Sequence, residues 1–169
     1  MLDVIIDELN GTFSVVEPTV AATRLIAAIV LVGFIGFERE AREKPAGLRT
    51  HMLVSLAACL FIIVSQQLAS LPFGAEDALR VDPLRLVEAV TAGVAFLAAG
   101  IIFTSQGKVR NITTGASLWL AGAIGLSCGA GQVPLAALAT VIVVVVLLGL
   151  RILERRLGTH RSTNNETDS

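Results

Sequence analysis

Apolar positions run through this chain in long blocks separated by short charged segments. From Asn111 to Leu150, forty consecutive residues carry no charged side chain, and the run is interrupted only by the turn-forming stretch Cys128-Gly129-Ala130-Gly131-Gln132-Val133-Pro134. A water-facing surface needs interspersed charges, whereas about 20 apolar residues carry a helix across a bilayer core. The run therefore predicts two spans joined by a tight hairpin. Three further blocks complete the pattern: Pro18 to Phe37 with Arg24 as its only charge, Thr50 to Ala75 with at most His51, and Ala89 to Gly107 with none. The prediction is an all-α integral membrane protein, a bundle of about five transmembrane helices spanning about 18–37, 50–71, 84–103, 112–128 and 133–150. A re-entrant 112–128 would reduce the count to four, although that segment is long enough for an untilted crossing.

Charge sets the expected orientation. The loop after the first span holds Arg39, Arg42, Lys44 and Arg49, the loop after the third holds Lys108 and Arg110, and the tail holds Arg151, Arg155, Arg156 and Arg161. The alternate side holds only Arg80 and Arg85. Lys and Arg accumulate on the inner side of a membrane, so the N-terminus is expected outside and the C-terminus inside, which requires an odd number of spans. The first span is not read as a cleavable signal: Asp3, Asp7, Glu8 and Glu17 precede it and Glu38-Arg39-Glu40 follows it. Residues 1–17 are then a short external segment, with Val4, Ile5, Leu9 and Phe13 near helical spacing. Residues 18–157 are the transmembrane domain, and 158–169 (GTHRSTNNETDS) a disordered cytoplasmic tail.

Composition agrees, with 54% hydrophobic residues, 16% charged residues and a mean hydropathy of +0.76. Cys59 and Cys128 lie in separate apolar segments and read as small buried hydrophobes, with too few cysteines for a disulfide or metal framework. The single Trp119 falls within a span, where packing between helices with a satisfied indole N–H is expected.

Three polar motifs punctuate the spans. The first, Gly36-Phe37-Glu38-Arg39-Glu40 through Lys44-Pro45-Ala46-Gly47-Leu48-Arg49-Thr50-His51, packs seven charges and a histidine into the fourteen residues from Glu38. Glu38 with Arg42 and Glu40 with Lys44 are spaced as helical i, i+4 pairs, and Pro45 and Gly47 stop the helix. A polar cluster of Glu38, Arg39, Glu40, Lys44, Arg49 and His51 is expected here, with Glu38, Arg39 and Arg49 in mutual contact and His51 a structural donor; the plain alternative is a solvated basic loop. In the second motif, Asp82 caps span three, Pro83 takes its first position and Arg85 follows. Thr91, Ala95 and Ala99 then form a small-residue stripe, matched in span four by Ser117, Ala121 and Gly125, which predicts close packing of these two spans. The third motif, Lys108 to Trp119, places Lys108 and Arg110 at the headgroups and Thr113 and Thr114 as caps of span four. Arg24 and Glu88 each lie about five residues inside the same membrane surface. Opposite charges at one depth suggest an ion pair, the alternative being that each snorkels separately to the headgroups.

In this order the three motifs resemble the MgtC/SapB family of bacterial inner-membrane proteins. The family pattern Gly-x-Glu-Arg-Glu…Lys-Pro-Ala-Gly-Leu-Arg-Thr-His is matched from Gly36 to His51, Asp-Pro-x-Arg…Gly-x-x-Phe-Leu-x-Ala-Gly from Asp82 to Gly100, and Arg-x-x-Thr-Thr-x-Ala-x-Leu-Trp from Arg110 to Trp119. The resemblance covers roughly residues 20–150. The chain departs from it in having Ala89, Ala95 and Ala98 where Gln and further glycines are usual, and in Glu88. It also reads as a short form lacking the family's cytosolic C-terminal domain.

The resemblance implies a bacterial inner-membrane protein linked to growth in low magnesium and to survival inside host cells. It further implies a regulatory action through contact with other membrane complexes, the ATP synthase among them. The lipid bilayer, other membrane proteins and a second copy of the chain are the expected partners, nucleic acid is not, and no cofactor or metal is expected. The alternative is a magnesium or proton transporter or channel, against which stand few intramembrane ionisable residues and no repeated half. An enzyme is not expected, since neither a Gly-x-Ser-x-Gly nor a His-Glu-x-x-His motif occurs.

Overall fold

A computed structural model describes residues 1, 11, 13–70, 82–105 and 107–156, with backbone alone at 83, 151 and 153–156. The expected helical spacing at Val4, Ile5 and Leu9, and the expected disorder of 158–169, lie outside the described residues. Five helices follow the apolar blocks: α1 Pro18–Glu40, α2 Leu48–Ala69, α3 Pro83–Ile101, α4 Ile112–Gly129 and α5 Val133–Arg156. All five are long and apolar enough to cross a membrane; at 1.5 Å per residue they reach about 27 to 36 Å. The chain is an all-α, multi-pass membrane protein.

Helix α4 is the centre of the bundle. It packs against each of the other four, and 56% of its apolar window is buried inside the protein, against 11–28% for the rest. It is also the least hydropathic of the five. A helix surrounded by protein does not need the lipid-facing side chains that the outer helices need, and small residues let its neighbours approach. Its glycines make that concrete. A Cβ on Gly125 would collide with the Ser55 carbonyl of α2, and one on Gly129 would stand 2.6 Å from the Cys59 carbonyl oxygen. The core that forms around it is Ala28, Val32, Ile35, Cys59, Ala121, Ile124, Cys128 and Ala136. Both cysteines are free and buried.

The expected small-residue seam is corrected by the packing. Helices α3 and α4 do meet, but Ala95 and Ala99 are exposed, and the buried residues of α3 are Val94 and Ala98. On α4 the face toward α3 is Gly115 and Gly122: a Cβ on Gly122 would be 2.9 Å from Val94 Cγ2, and one on Gly115 would be 3.3 Å from the Ala98 carbonyl. The Ser117 and Gly125 face turns toward α2. The reason is complementarity. Where α4 supplies the gaps, the branched Val94 and Ile102 fill them, Val94 over Gly122 and Ile102 over Gly115, so the seam runs along Val94 and Ala98 and leaves Ala95 and Ala99 outside it. Trp119 is half exposed beside α3, in a groove lined by Val87, Val90 and Gly122, and its indole has no hydrogen bond among the described residues.

The connection from α3 to α4 also differs from expectation. Phe103–Ser105 (β1) and Lys108–Arg110 (β2) form an antiparallel pair with Phe103 opposite Arg110. Gly107 (φ +72°) lies between them, so α3 stops at Ile101, short of the expected 103. Asp82 caps α3 as expected, its Oδ1 accepting from the Leu84 N–H at 3.0 Å. Neither Thr113 nor Thr114 caps α4. That position belongs to Asn111, in the left-handed region at φ 65°, whose side-chain amide donates to the Ile101 carbonyl at 3.1 Å. Tying the hairpin back to α3 uses the Asn side chain, and Thr114 is left buried one turn into the helix.

Candidate functional site

The polar motif at the end of α1 is where the bundle buries charge. Helix α1 carries its last turn out of the apolar region, and Glu38 and Arg39 both turn inward, 7% and 1% exposed. Adjacent helix residues diverge by about 100°, so both are covered only because α1 is flanked on two sides there. Arg39 Nε donates to Glu38 Oε2 at 2.5 Å, and Arg42 Nε lies 3.4 Å from Glu38 Oε1. One carboxylate thus holds two guanidinium groups. Isolated, a buried charge of this kind is strongly disfavoured; paired, it is tolerated.

The rest of the motif builds the turn. After Glu40 the backbone leaves the helix through Glu43, a non-glycine residue at φ 52°. The expected Glu40–Lys44 pair does not form: Lys44 is exposed, and the Glu40 carboxylate accepts from the Leu48 N–H at 2.7 Å. That bond satisfies one of the free donors at the start of α2, as a cap supplied from a different helix. A side chain at Gly47 would displace it, since a Cβ there would stand 2.7 Å from Glu40 Oε2. Gly36 does the same service one level deeper, where a Cβ would be 2.8 Å from the Leu48 Cα. The two glycines let α1 and α2 close against each other around the turn.

His51 is fully buried and links the start of α2 to α4. Its Nδ1 is 2.8 Å from the Gly47 carbonyl, and its Nε2 is 3.0 Å from Ser117 Oγ on α4. A carbonyl only accepts, so Nδ1 carries the proton and Nε2 faces the serine as an acceptor in the neutral ring. The Thr114 carbonyl, 2.9 Å from Ser117 Oγ, is a second acceptor for the same single hydroxyl proton. Arg49 is not part of this group: it is exposed and makes no ion pair among the described residues. The expected trio of Glu38, Arg39 and Arg49 is therefore a Glu38–Arg39–Arg42 group beside a His51–Ser117 link. Position 49 falls on the outer side of α2 while His51, about 200° further round, faces the core.

Ser117 entered the sequence reading only as a small residue. Its signal was present on α2, where His51, Ser55, Cys59 and Gln66 recur at three- to four-residue multiples along one face. Ser55 donates to the Ala28 carbonyl at 3.1 Å, deeper in the bundle. At the other end of the molecule Arg24 and Glu88 do not pair. Arg24 Nη1 donates to the Gly129 carbonyl at 2.9 Å and to Gln66 Oε1 at 3.2 Å, while Glu88 is exposed on α3. Gly129 is the last residue of α4, where unpaired carbonyls attract a cation; that acceptor outweighs a carboxylate on a helix that α1 does not pack against. Arg85, Lys108 and Arg110 are exposed, as solvated cations.

No group of three metal-ligating side chains gathers among the described residues, and no solved structure matches the chain. Sequence relatives are clear. "Protein MgtC" of Brucella abortus (strain 2308) is 42% identical over 130 residues, 77% of this chain and 51% of its own length. "Protein MgtC" of Salmonella typhimurium (strain 14028s / SGSC 2262) is 36% identical over 134 residues, 79% of this chain and 54% of its own. The Escherichia coli (strain K12) protein YhiD, named as a candidate magnesium transporter, is 38% identical over 129 residues, 73% of this chain and 57% of its own. The chain spans about half the length of these relatives. The family model described as MgtC family matches residues 25–156, a stretch that contains the Glu38–Arg39 pair, His51 and Ser117, and the chain belongs to that family.

Proposed function

We propose that this chain is a regulatory, non-enzymatic protein of the bacterial inner membrane that serves adaptation to low magnesium by contact with other membrane complexes, the ATP synthase among them. One observation carries the reading: the ionisable groups stand at the two ends of the bundle, and the middle is closed by apolar packing. Ala28, Val32, Cys59, Ala121 and Ile124 fill that level, and the Ser55 hydroxyl there is spent on a backbone carbonyl. A conduction path needs ionisable or convergent polar groups at mid-depth. The excess of Lys and Arg supports a cytoplasmic turn between α1 and α2, and on that reading the exposed Lys44 and Arg49 are available to a partner there. A second copy of the chain is a further candidate, since Gly93 and Gly100 on α3 have open space above them.

The second reading, transport of magnesium or protons, is favoured by the name given to the Escherichia coli relative. Two measurements separate the readings. A photo-crosslinker placed at position 49 in native membranes should capture a membrane complex, and proteoliposomes of the full chain should pass magnesium and protons no faster than protein-free ones. Flux above that background, abolished by Arg39→Met, would replace the regulatory reading with transport.

A further inference from the structure

At the end of the bundle where α1 begins, a cavity of about 330 Å³ is lined by Thr19, Val20, Thr23, Arg24, Gly131 and Val133. Its chemistry is set by what Arg24 leaves unused. A guanidinium carries five N–H groups in one plane. Both on Nη1 are accounted for by Gln66 Oε1 and the Gly129 carbonyl. The Nε–H and the two on Nη2 have no acceptor among the described residues. Nε and Nη2 form one edge of the fork, the edge that meets two oxygens of a phosphate or carboxylate side by side.

Gly131 borders that edge. A Cβ there would stand 2.8 Å from Nη2 and 3.6 Å from Nε, and the residue's φ of +80° itself calls for glycine. The Thr19 side chain is exposed and its hydroxyl bonds to nothing among the described residues, while the Thr23 hydroxyl donates to the Thr19 carbonyl at 2.7 Å. Among the described residues, no carboxylate lines the cavity. The N–H groups of Thr19, Val20 and Val133 lie in first turns, without intrahelical acceptors, and add partial positive charge. Arg24 is six residues into α1, about 9 Å along its axis from the end of the bundle.

We propose that this cavity is a phosphate-binding site, filled by the phosphate of a phospholipid headgroup or by free phosphate. Two sets of donors line it, the free edge of Arg24 and the hydroxyl of Thr19. A tetrahedral oxyanion answers both sets, whereas a planar carboxylate would satisfy the fork alone.

The test uses the full chain, stripped of lipid in detergent, with its thermal midpoint followed against three probes: inorganic phosphate, phosphatidylglycerol, and diacylglycerol, which lacks the phosphate. Wild type should be stabilised saturably by a phosphate-bearing probe and not by diacylglycerol. Thr19→Val should weaken that binding by roughly 5- to 10-fold, and Arg24→Lys, which keeps the charge and loses the fork, by on the order of 100-fold. Saturation by inorganic phosphate assigns a soluble anion; saturation by phosphatidylglycerol alone assigns a lipid, and both uphold the site. Absence of saturable stabilisation by either phosphate probe overturns it, as does wild-type affinity in Thr19→Val. Because the Thr19 side chain holds nothing in the fold, that variant decides the matter even if Arg24→Lys does not fold.

Discussion

His51 Nε2 lies 3.0 Å from Ser117 Oγ, across 66 residues of sequence and inside the interface of α2 with α4. The contact pins the beginning of α2 to the central helix at the level where α1 ends. With Nδ1 held by the Gly47 carbonyl, the ring has one orientation and one face to offer. Ser117→Ala leaves a buried acceptor unanswered and should destabilise by about 1–3 kcal/mol, with His51→Ala costing more because it also opens a cavity. In a double-mutant cycle the two should couple by about 1 kcal/mol. Additive losses in thermal unfolding would mean that the two side chains act independently.

Charge at the end of α1 gives a sharper contrast. Arg39→Met strands the Glu38 carboxylate, which is 7% exposed and left with Arg42 alone, and should cost about 3–5 kcal/mol. Pairing it with Glu38→Gln should recover part of that loss, since neither charge then remains. Arg49→Ala, in the same motif but on the exposed side of α2, should stay within about 0.5 kcal/mol. Folded yield and unfolding temperature of the three variants give the comparison.

What the sequence disclosed depended on how far a signal extends. The five helices are legible because each is a long uncharged block, and Asp82-Pro83 is legible because capping is local. The hairpin is not: Phe103-Thr104-Ser105 and Lys108-Val109-Arg110 are three residues each, and the first merges into the apolar block of α3. The nearer acceptor of Arg24 left no trace, since Gly129 contributes a backbone carbonyl and every residue has one. The charged motif announced that it was polar, yet which of its residues turn inward depends on where α2 and α4 stand around it.

The phase of α3 is tested by neighbouring alanines. Ala98 is 7% exposed against α4, with its carbonyl close to Gly115; Ala98→Leu should overpack the seam and cost about 1–3 kcal/mol. Ala95 faces outward, so Ala95→Leu adds apolar surface toward lipid and should leave folded yield unchanged. The reverse ranking, measured as yield of monodisperse protein in detergent, would return the seam to the Thr91, Ala95 and Ala99 stripe.

Arg24 and Glu88 separate a cap from an ion pair. Arg24 donates from one nitrogen to the end of α4 and to Gln66 of α2, so it ties three helices at one end of the bundle. Arg24→Ala removes both bonds and the cation beside the free carbonyls of α4, and should destabilise by about 2 kcal/mol, charge-assisted bonds in partly buried sites being worth more than neutral ones. Gln66→Ala removes only the longer bond and should cost less than half as much. The two losses should be subadditive in the double variant, because the Gln66 bond is already gone once Arg24 is replaced. Glu88, exposed on α3, shares no partner with either. Glu88→Ala should therefore leave stability near wild type and combine additively with Arg24→Ala. A coupling above about 0.5 kcal/mol between positions 24 and 88 would show that the two charges do meet across the bundle.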